Sequence, residues 1–305
     1  MRHCEPIGLR VESGDAGLLR RLDAWRGEGR VHSVFTRVVN VLTPRGTLIA
    51  LAARGAGHAP RTLAADVTDW AGRGLLAGQA AVFAPGSITL AVPGRPVRLT
   101  TAGARGWSAA APSVAGLRPG ARATAADLLD RCNAEHGVRG GMLGATPGAG
   151  PMEAAIVRAL HHGRTLLLDA IRAGDAGLMR QGVLALLGLG PGLTPAGDDF
   201  LTGLCLVAAL PGSAQASLVP VVRDLASARP ERTTDLSLAT LLEAADARAR
   251  AELLDILRLV AHTAAPGELH AAARALLAIG HTSGSDTLSG LAAGLRLEEE
   301  LRGPL

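Results

Sequence analysis

Two short segments of this chain combine residue types that could do chemistry. The first is LLGLGPGLTPAGDDFLTGL, residues 186–204. Gly188, Gly190 and Gly192 surround Pro191, so backbone N–H groups can approach a ligand without side-chain obstruction. Thr194 and Pro195 read as the N-cap and first position of a helix. Gly197, Asp198 and Asp199 then fall in its first turn, where the helix dipole favours negative charge, and FLTGLCLVAAL continues as a buried helix. The second segment is GHTSGSDTLSGL, residues 280–291. Placing Gly284 on Gly197 brings Asp286 onto Asp199, Leu288 onto Leu201, Ser289 onto Thr202, Gly290 onto Gly203 and Leu291 onto Leu204, a constant spacing of 87 residues. The sequence thus carries one loop-to-helix unit twice, and the two units are expected to face one pocket.

Carboxylates of this kind could orient a polar substrate or hold a divalent ion, and two of them do not specify Mg²⁺, which stays possible. No other cofactor is expected. An anion could sit on the free N–H groups of either helix start. His281 could bind substrate or move a proton. Ser283 and Gly284 belong with it, though Ser283-x-x-Asp286 also has capping-box spacing. Arg232 and Thr233, in ARPERTTDLS, offer a third anion contact, with Thr234 or Asp235 available as an N-cap. Arg139, in the glycine-rich stretch 137–150, is another possible anion contact. His161 and His162, adjacent on one helix, read as surface. No Walker loop, G-x-S-x-G elbow, H-E-x-x-H or complete dinucleotide fingerprint occurs.

The elements that must position these groups fall into two textures. VHSVFTRVVNVL, TLIALAA, AAVFA, SITLAV and PVRLT are β-branched runs separated by Gly/Pro turns, the pattern of short antiparallel strands. Ahead of them, Asp15 could cap a short helix. From residue 152 onward the apolar spacing is helical, with helices expected at 152–173, 175–188, 195–210, 215–228, 236–247, 249–263, 267–279 and 284–301. Thr124-x-x-Asp127 reads as a capping box before a further helix. The fold class is therefore α+β, an N-terminal antiparallel sheet or small barrel over residues 1–110 and a mainly helical domain over 111–305 carrying the Gly/Asp site. Residues 102–123 are the expected connection.

Composition narrows the function classes. Aromatics are only 2% of the 305 residues, so the core must be Leu, Val and Ala. Lys and Tyr are absent, and the formal charge is +4. The pI near 10 therefore reflects missing titratable groups rather than a basic surface. Scattered Arg without stacking aromatics argues against nucleic acid. Cys4, Cys132 and Cys205 are few and far apart, which suits free thiols in a reducing cytoplasm. No signal peptide or bilayer-length apolar run is seen, so the expectation is a cytoplasmic protein without membrane partners.

GLGPGLTPAGDDFLTGL together with GHTSGSDTLSGLAAGL, VHSVFTRVVNVL and RTTDLS resembles the family of AllH-like subunits of oxamate carbamoyltransferase, over most of the chain. That resemblance implies purine (allantoin) breakdown, in which oxalurate and phosphate give oxamate and carbamoyl phosphate on an assembly of different subunits. It implies a small anionic substrate and partner subunits. The carboxylates would then orient carbamoyl N–H groups or bind a metal. A non-catalytic scaffolding or ligand-binding subunit and a metal-dependent hydrolase are the alternatives.

Overall fold

The computed structural model describes residues 5–113 and 120–303. The chain divides into two compact units, Met1–Ala109 and Ala110–Leu305.

The first unit is a nine-stranded sheet: β1 (Ile7–Asp15), β2 (Gly27–Val34), β3 (Val38–Leu42), β4 (Leu48–Ala52), β5 (Thr62–Ala65), β6 (Ala80–Ala84), β7 (Ser87–Leu90), β8 (Val97–Thr100) and β9 (Arg105–Trp107). The order is β5-β4-β3-β2-β6-β7-β8-β1-β9, and β1 also pairs with β5. Eight strands therefore close into a ring that leaves no free edge, with β9 appended beside β1. Closure uses the two halves of β1, Ile7–Arg10 against β8 and Val11–Gly14 against β5, with a bulge between Val11 and Ser13. Most pairings are antiparallel, but β1–β8, β1–β9 and β4–β5 are parallel. Strands alternate as expected of a filled small barrel: Val97 and Leu99 are buried while Arg98 is exposed. Trp70, Phe83, Ile49 and Ile88 fill the interior.

Two readings of this unit need correction. VHSVFTRVVNVL is a hairpin rather than one strand, because Phe35–Arg37 turn the chain between β2 and β3. The stretch 102–123 is not all connection, since Arg105–Trp107 pairs with β1. Asp15 does cap helix α1 (Ala16–Leu22), accepting from Gly17 N–H at 2.8 Å, and its other oxygen accepts from Arg61 N–H at 2.8 Å.

The second unit is helical: α2 (Ala121–His136), α3 (Pro151–Ala173), α4 (Ala176–Leu186), α5 (Ala196–Ala208), α6 (Leu218–Ala228), α7 (Asp235–Ala245), α8 (Ala251–Ala261), α9 (Pro266–Leu277) and α10 (Ser283–Arg302). Helix α2 starts three residues before Thr124, whose hydroxyl donates back to Gly120 O at 2.9 Å. Asp127 pairs with Arg296 at 2.7 Å, so the expected capping box is not formed. Every residue of α5 is buried, as is α10 from Gly284 to Leu295. A helix apolar on all sides belongs at the centre of its unit, and α5 packs there against α4, α6, α7 and α10. Cys132 and Cys205 are buried free thiols, while Cys4 lies outside the described residues. No helix among the described residues is long and apolar enough to cross a membrane.

Candidate functional site

The two glycine-bearing helices meet reciprocally. A Cβ at Gly203 on α5 would overlap the carbonyl oxygen of Thr287 and lie 2.6 Å from the Leu291 nitrogen. A Cβ at Gly290 on α10 would overlap the carbonyl oxygen of Phe200 and lie 3.0 Å from the Leu204 nitrogen. Thr287 and Phe200, like Leu291 and Leu204, keep the 87-residue spacing, so the sequence repeat is a local twofold relation in space. It extends to the helix starts. Gly197 lies against Leu186 at the end of α4, and Gly284 against Leu276 and Leu277 at the end of α9. In each half an incoming helix, a loop and a buried helix pack through the same glycine. Alanine at Gly290 should therefore destabilise the unit by about 3 kcal/mol or more, since a backbone oxygen cannot yield as a side chain can. Gly267→Ala, at an open helical position, should stay within about 0.5 kcal/mol of wild type in the same urea titration.

The first turns of α5 and α10 converge. Thr194 does not cap α5; Pro195 holds that position with φ −53° and ψ 140°, and the helix begins at Ala196. The Thr194 hydroxyl instead crosses to the Ser283 hydroxyl at 2.6 Å. Nor do Ser283 and Asp286 form a capping box: Thr282 is the cap residue, and the Asp286 side chain is used elsewhere. Its Oδ1 accepts from Met142 N–H at 2.7 Å, while Ser285 Oγ accepts from Val138 N–H at 2.7 Å. The glycine-rich stretch 137–150 therefore lies over α10, and a side chain at Gly141 would occupy the space of the Asp286 carboxylate. His161 on α3 donates through Nε2 to Met142 O at 3.1 Å. Though exposed, it steadies the loop that holds Asp286, a link that an adjacent His pair gave no signal for.

The neighbouring carboxylates Asp198 and Asp199 have different surroundings. Asp198 Oδ1 accepts from Gly188 N–H at 2.7 Å, and Oδ2 accepts from the Thr233 hydroxyl. Thr234 caps α7 and also donates to Leu193 O at 2.6 Å. Arg232 donates to Leu184 O at 3.1 Å, with its own carbonyl pressed on Gly188. Arg232 and Thr233 are thus engaged with α4 and Asp198, locking the loop before α5. Burial raises the Asp198 pKa, and the bonds from Thr233, Gly188 and Ser237 oppose that rise.

Asp199 and Asp286 are the corresponding pair of the repeat. They are 7% and 0% exposed, and the Oδ2 atom of each is buried without a hydrogen-bond partner. Burial pushes Asp199 up to about 8, with the Asp286 charge adding to the rise while the Ser283 and Thr194 hydroxyls oppose it. Burial pushes Asp286 up to about 6 against the Met142 N–H and the Thr282 hydroxyl. Two converging helix dipoles favour anions by about 1 kcal/mol each. Desolvation at several kcal/mol per ion outweighs them, which is why both pKa values rise.

Gly190 (φ +124°) packs on Ala196, while Gly192 and His281 are exposed at the turns preceding the two helices. Arg139 is exposed above its own loop. No cluster of three His, Cys, Asp or Glu side chains suited to a metal occurs among the described residues. Of the three carboxylates at the paired helix starts, Asp198 is engaged by Gly188 and Thr233, which leaves Asp199 and Asp286, two against the larger oxygen set a hard cation takes.

Fold and site define an α+β protein in which a small closed barrel precedes a helical unit built on a duplicated Gly/Asp helix start. The family model described as the AllH family N-terminal domain matches residues 10–106, and the one described as oxamate carbamoyltransferase subunit AllH matches residues 186–295. The chain belongs to the AllH family. The second match begins at the end of α4 and ends within α10, so it contains both halves of the repeat. No solved structure matches the chain.

Proposed function

We propose that this protein is a subunit of a carbamoyltransferase that converts oxalurate and phosphate into oxamate and carbamoyl phosphate, with the starts of α5 and α10 as its ligand site. The observation that carries the reading is that Asp199 and Asp286, the paired residues of the repeat, each keep a buried oxygen without a hydrogen-bond partner at helix starts joined through Thr194 and Ser283, inside the segment matched to the oxamate carbamoyltransferase subunit family. A purely architectural repeat needs the glycines and the Leu positions, but not two buried carboxyl groups with unpaired oxygens, each costing about 1–3 kcal/mol. Such a cost is retained where a ligand recovers it. The reaction fits the cytoplasm and purine (allantoin) breakdown, and the partners are the other subunits of the enzyme.

The test is reconstitution. Co-expressed with the products of its gene neighbours, the chain should sustain carbamoyl phosphate formation from oxalurate and phosphate, and its omission should reduce the rate at least 100-fold. Full activity without this chain would overturn the assignment.

A further inference from the structure

Asp286 is shut away from solvent by the backbone of a single residue. Its side chain is fully buried, and Gly141 lies flat against it: a Cβ there would overlap Oδ1 and come within 2.6 Å of Oδ2. A ligand for Oδ2 must therefore displace a piece of the chain. Helices α5 and α10 cannot part to admit it, since Gly203 and Gly290 each seat on the opposing backbone at the centre of the unit. The loop before α5 is bound down by Asp198, both of whose oxygens are taken, and by the Thr234 hydroxyl on Leu193 O. That leaves the loop of residues 137–150. We infer that this loop is a lid over Asp286, opening by the lift of Gly140–Gly144 and closing through Met142. The inference rests on the reading of the paired helix starts as the ligand site, and it adds how that site is entered.

The loop is built to move as one piece. Gly140 N–H donates to Gly144 O at 2.8 Å and Gly144 N–H to Gly141 O at 3.0 Å, so the tip is a tight turn bonded to itself. It is fastened to the helices through Met142, whose N–H donates to Asp286 Oδ1 at 2.7 Å and whose carbonyl accepts from His161 Nε2 at 3.1 Å. The flanking bonds, Val138 N–H to Ser285 Oγ and Thr146 N–H to Glu153 Oε1, both 2.7 Å, can stay in place as hinges. The Met142 side chain is buried in the helical core. An unbranched thioether re-packs readily, which suits a catch that is released and reset. A permanent cap on a buried carboxylate looks different in this protein. Glu298 has both oxygens engaged, by Ser213, Ala214, Gln215 and Arg302. Gly141 covers Asp286 and gives Oδ2 no donor. The closed loop thus leaves one acceptor for a donor that arrives beneath it.

Two measurements on the full chain test the lid. The amides of Val138, Gly140, Met142, Gly144 and Thr146 are all hydrogen-bonded, so a loop that never opened would exchange hydrogen as slowly as the core. Peptides over 138–146 should instead exchange roughly 100-fold faster than those of α5 and of α10 from Leu288 to Leu295, through a local opening. His161→Ala removes one of the two Met142 bonds; it should speed exchange in the loop about three- to tenfold and leave the helices unchanged. Access to the carboxylate position is read with Asp286→Cys. In the folded variant, iodoacetamide should alkylate the introduced thiol roughly 100-fold faster than Cys205, which is fully buried on α5 and reports unfolding of the whole unit. Loop amides as slow as those of α5 and α10 would overturn the lid, as would an introduced thiol no more reactive than Cys205. So would loop exchange that His161→Ala leaves unchanged. These outcomes are separable from the reaction itself. Loop opening in an assembly that forms no carbamoyl phosphate would leave the lid standing and remove the carbamoyl-transfer reading. Turnover that falls in Asp286→Asn while the loop stays shut would do the reverse.

Discussion

Replacing Asp286 by Asn should lower the turnover of the assembled enzyme roughly 10- to 100-fold at pH 7, measured as carbamoyl phosphate formed from oxalurate and phosphate. A hydrogen bond to a charged group contributes about 1.5–3 kcal/mol, and each 1.4 kcal/mol is a factor of ten. The variant is suited to the question because Asn keeps an acceptor oxygen for Met142 N–H, the one bond that Asp286 makes to the loop. What it removes is the anionic charge of the second oxygen. Asp199→Ala should also reduce turnover in the same assay, since it removes the buried carboxyl of the other half of the repeat. Wild-type turnover in Asp286→Asn would remove the paired carboxyls from the site.

The second large effect is on stability against pH. Asp199 and Asp286 titrate near 8 and 6 in the folded chain but near 3.9 when unfolded. Between about pH 4 and 8 the folded state therefore binds more protons than the unfolded one. Linkage then makes stability fall as pH rises through this window. The advantage of the protonated carboxyl is whole below about pH 4 and lost as pH passes the folded values. The charges that act on Asp199 are Asp286 on α10 and Asp198 on α5, both negative, so they add to this slope. Asp199→Asn fixes the neutral form. Its melting temperature should match wild type near pH 4 and exceed it progressively toward pH 8, by several kcal/mol in stability. For a unit of this size that is of order 10 °C. Parallel melting curves for the two proteins across pH 4–8 would show that Asp199 is not buried as described.

Much of the architecture was legible from periodicity. The helical expectations from 152–173 to 284–301 match α3 to α10 within a few residues, because helices such as α3, α6 and α8 bury an apolar stripe that the sequence repeats every three or four positions, while α5 is marked by a largely apolar run. The strands β6, β7 and β8 were marked by flanking Gly and Pro. β1 lies ahead of the strands expected from Val31 onward, and its signal is the two-residue rhythm in which Ile7, Leu9 and Val11 alternate with Gly8, Arg10 and Glu12. The hairpin inside VHSVFTRVVNVL was hidden because Phe35–Arg37 contains neither Gly nor Pro. The capping readings at Thr124, Thr194 and Ser283 failed for a common reason. A hydroxyl near a helix start can bond its own backbone or a distant partner, and local spacing does not distinguish the two.

The Gly/Asp repeat itself was written in the sequence: Gly197 with Gly284, Asp199 with Asp286 and Gly203 with Gly290 stand in register, and that alone determined that two similar helix starts exist. Only the tertiary structure decided what each residue does there. Asp198 and Asp199 are identical neighbours, but residues one apart on a helix point about 100° away from each other. One direction meets Gly188 and Thr233, and the other meets the opposite half of the repeat. The raised pKa values follow from the same fact, since desolvation depends on everything packed around a group and on nothing in its immediate sequence. Sequence set the pair, and the burial of α5 against α10 gave the pair its chemistry.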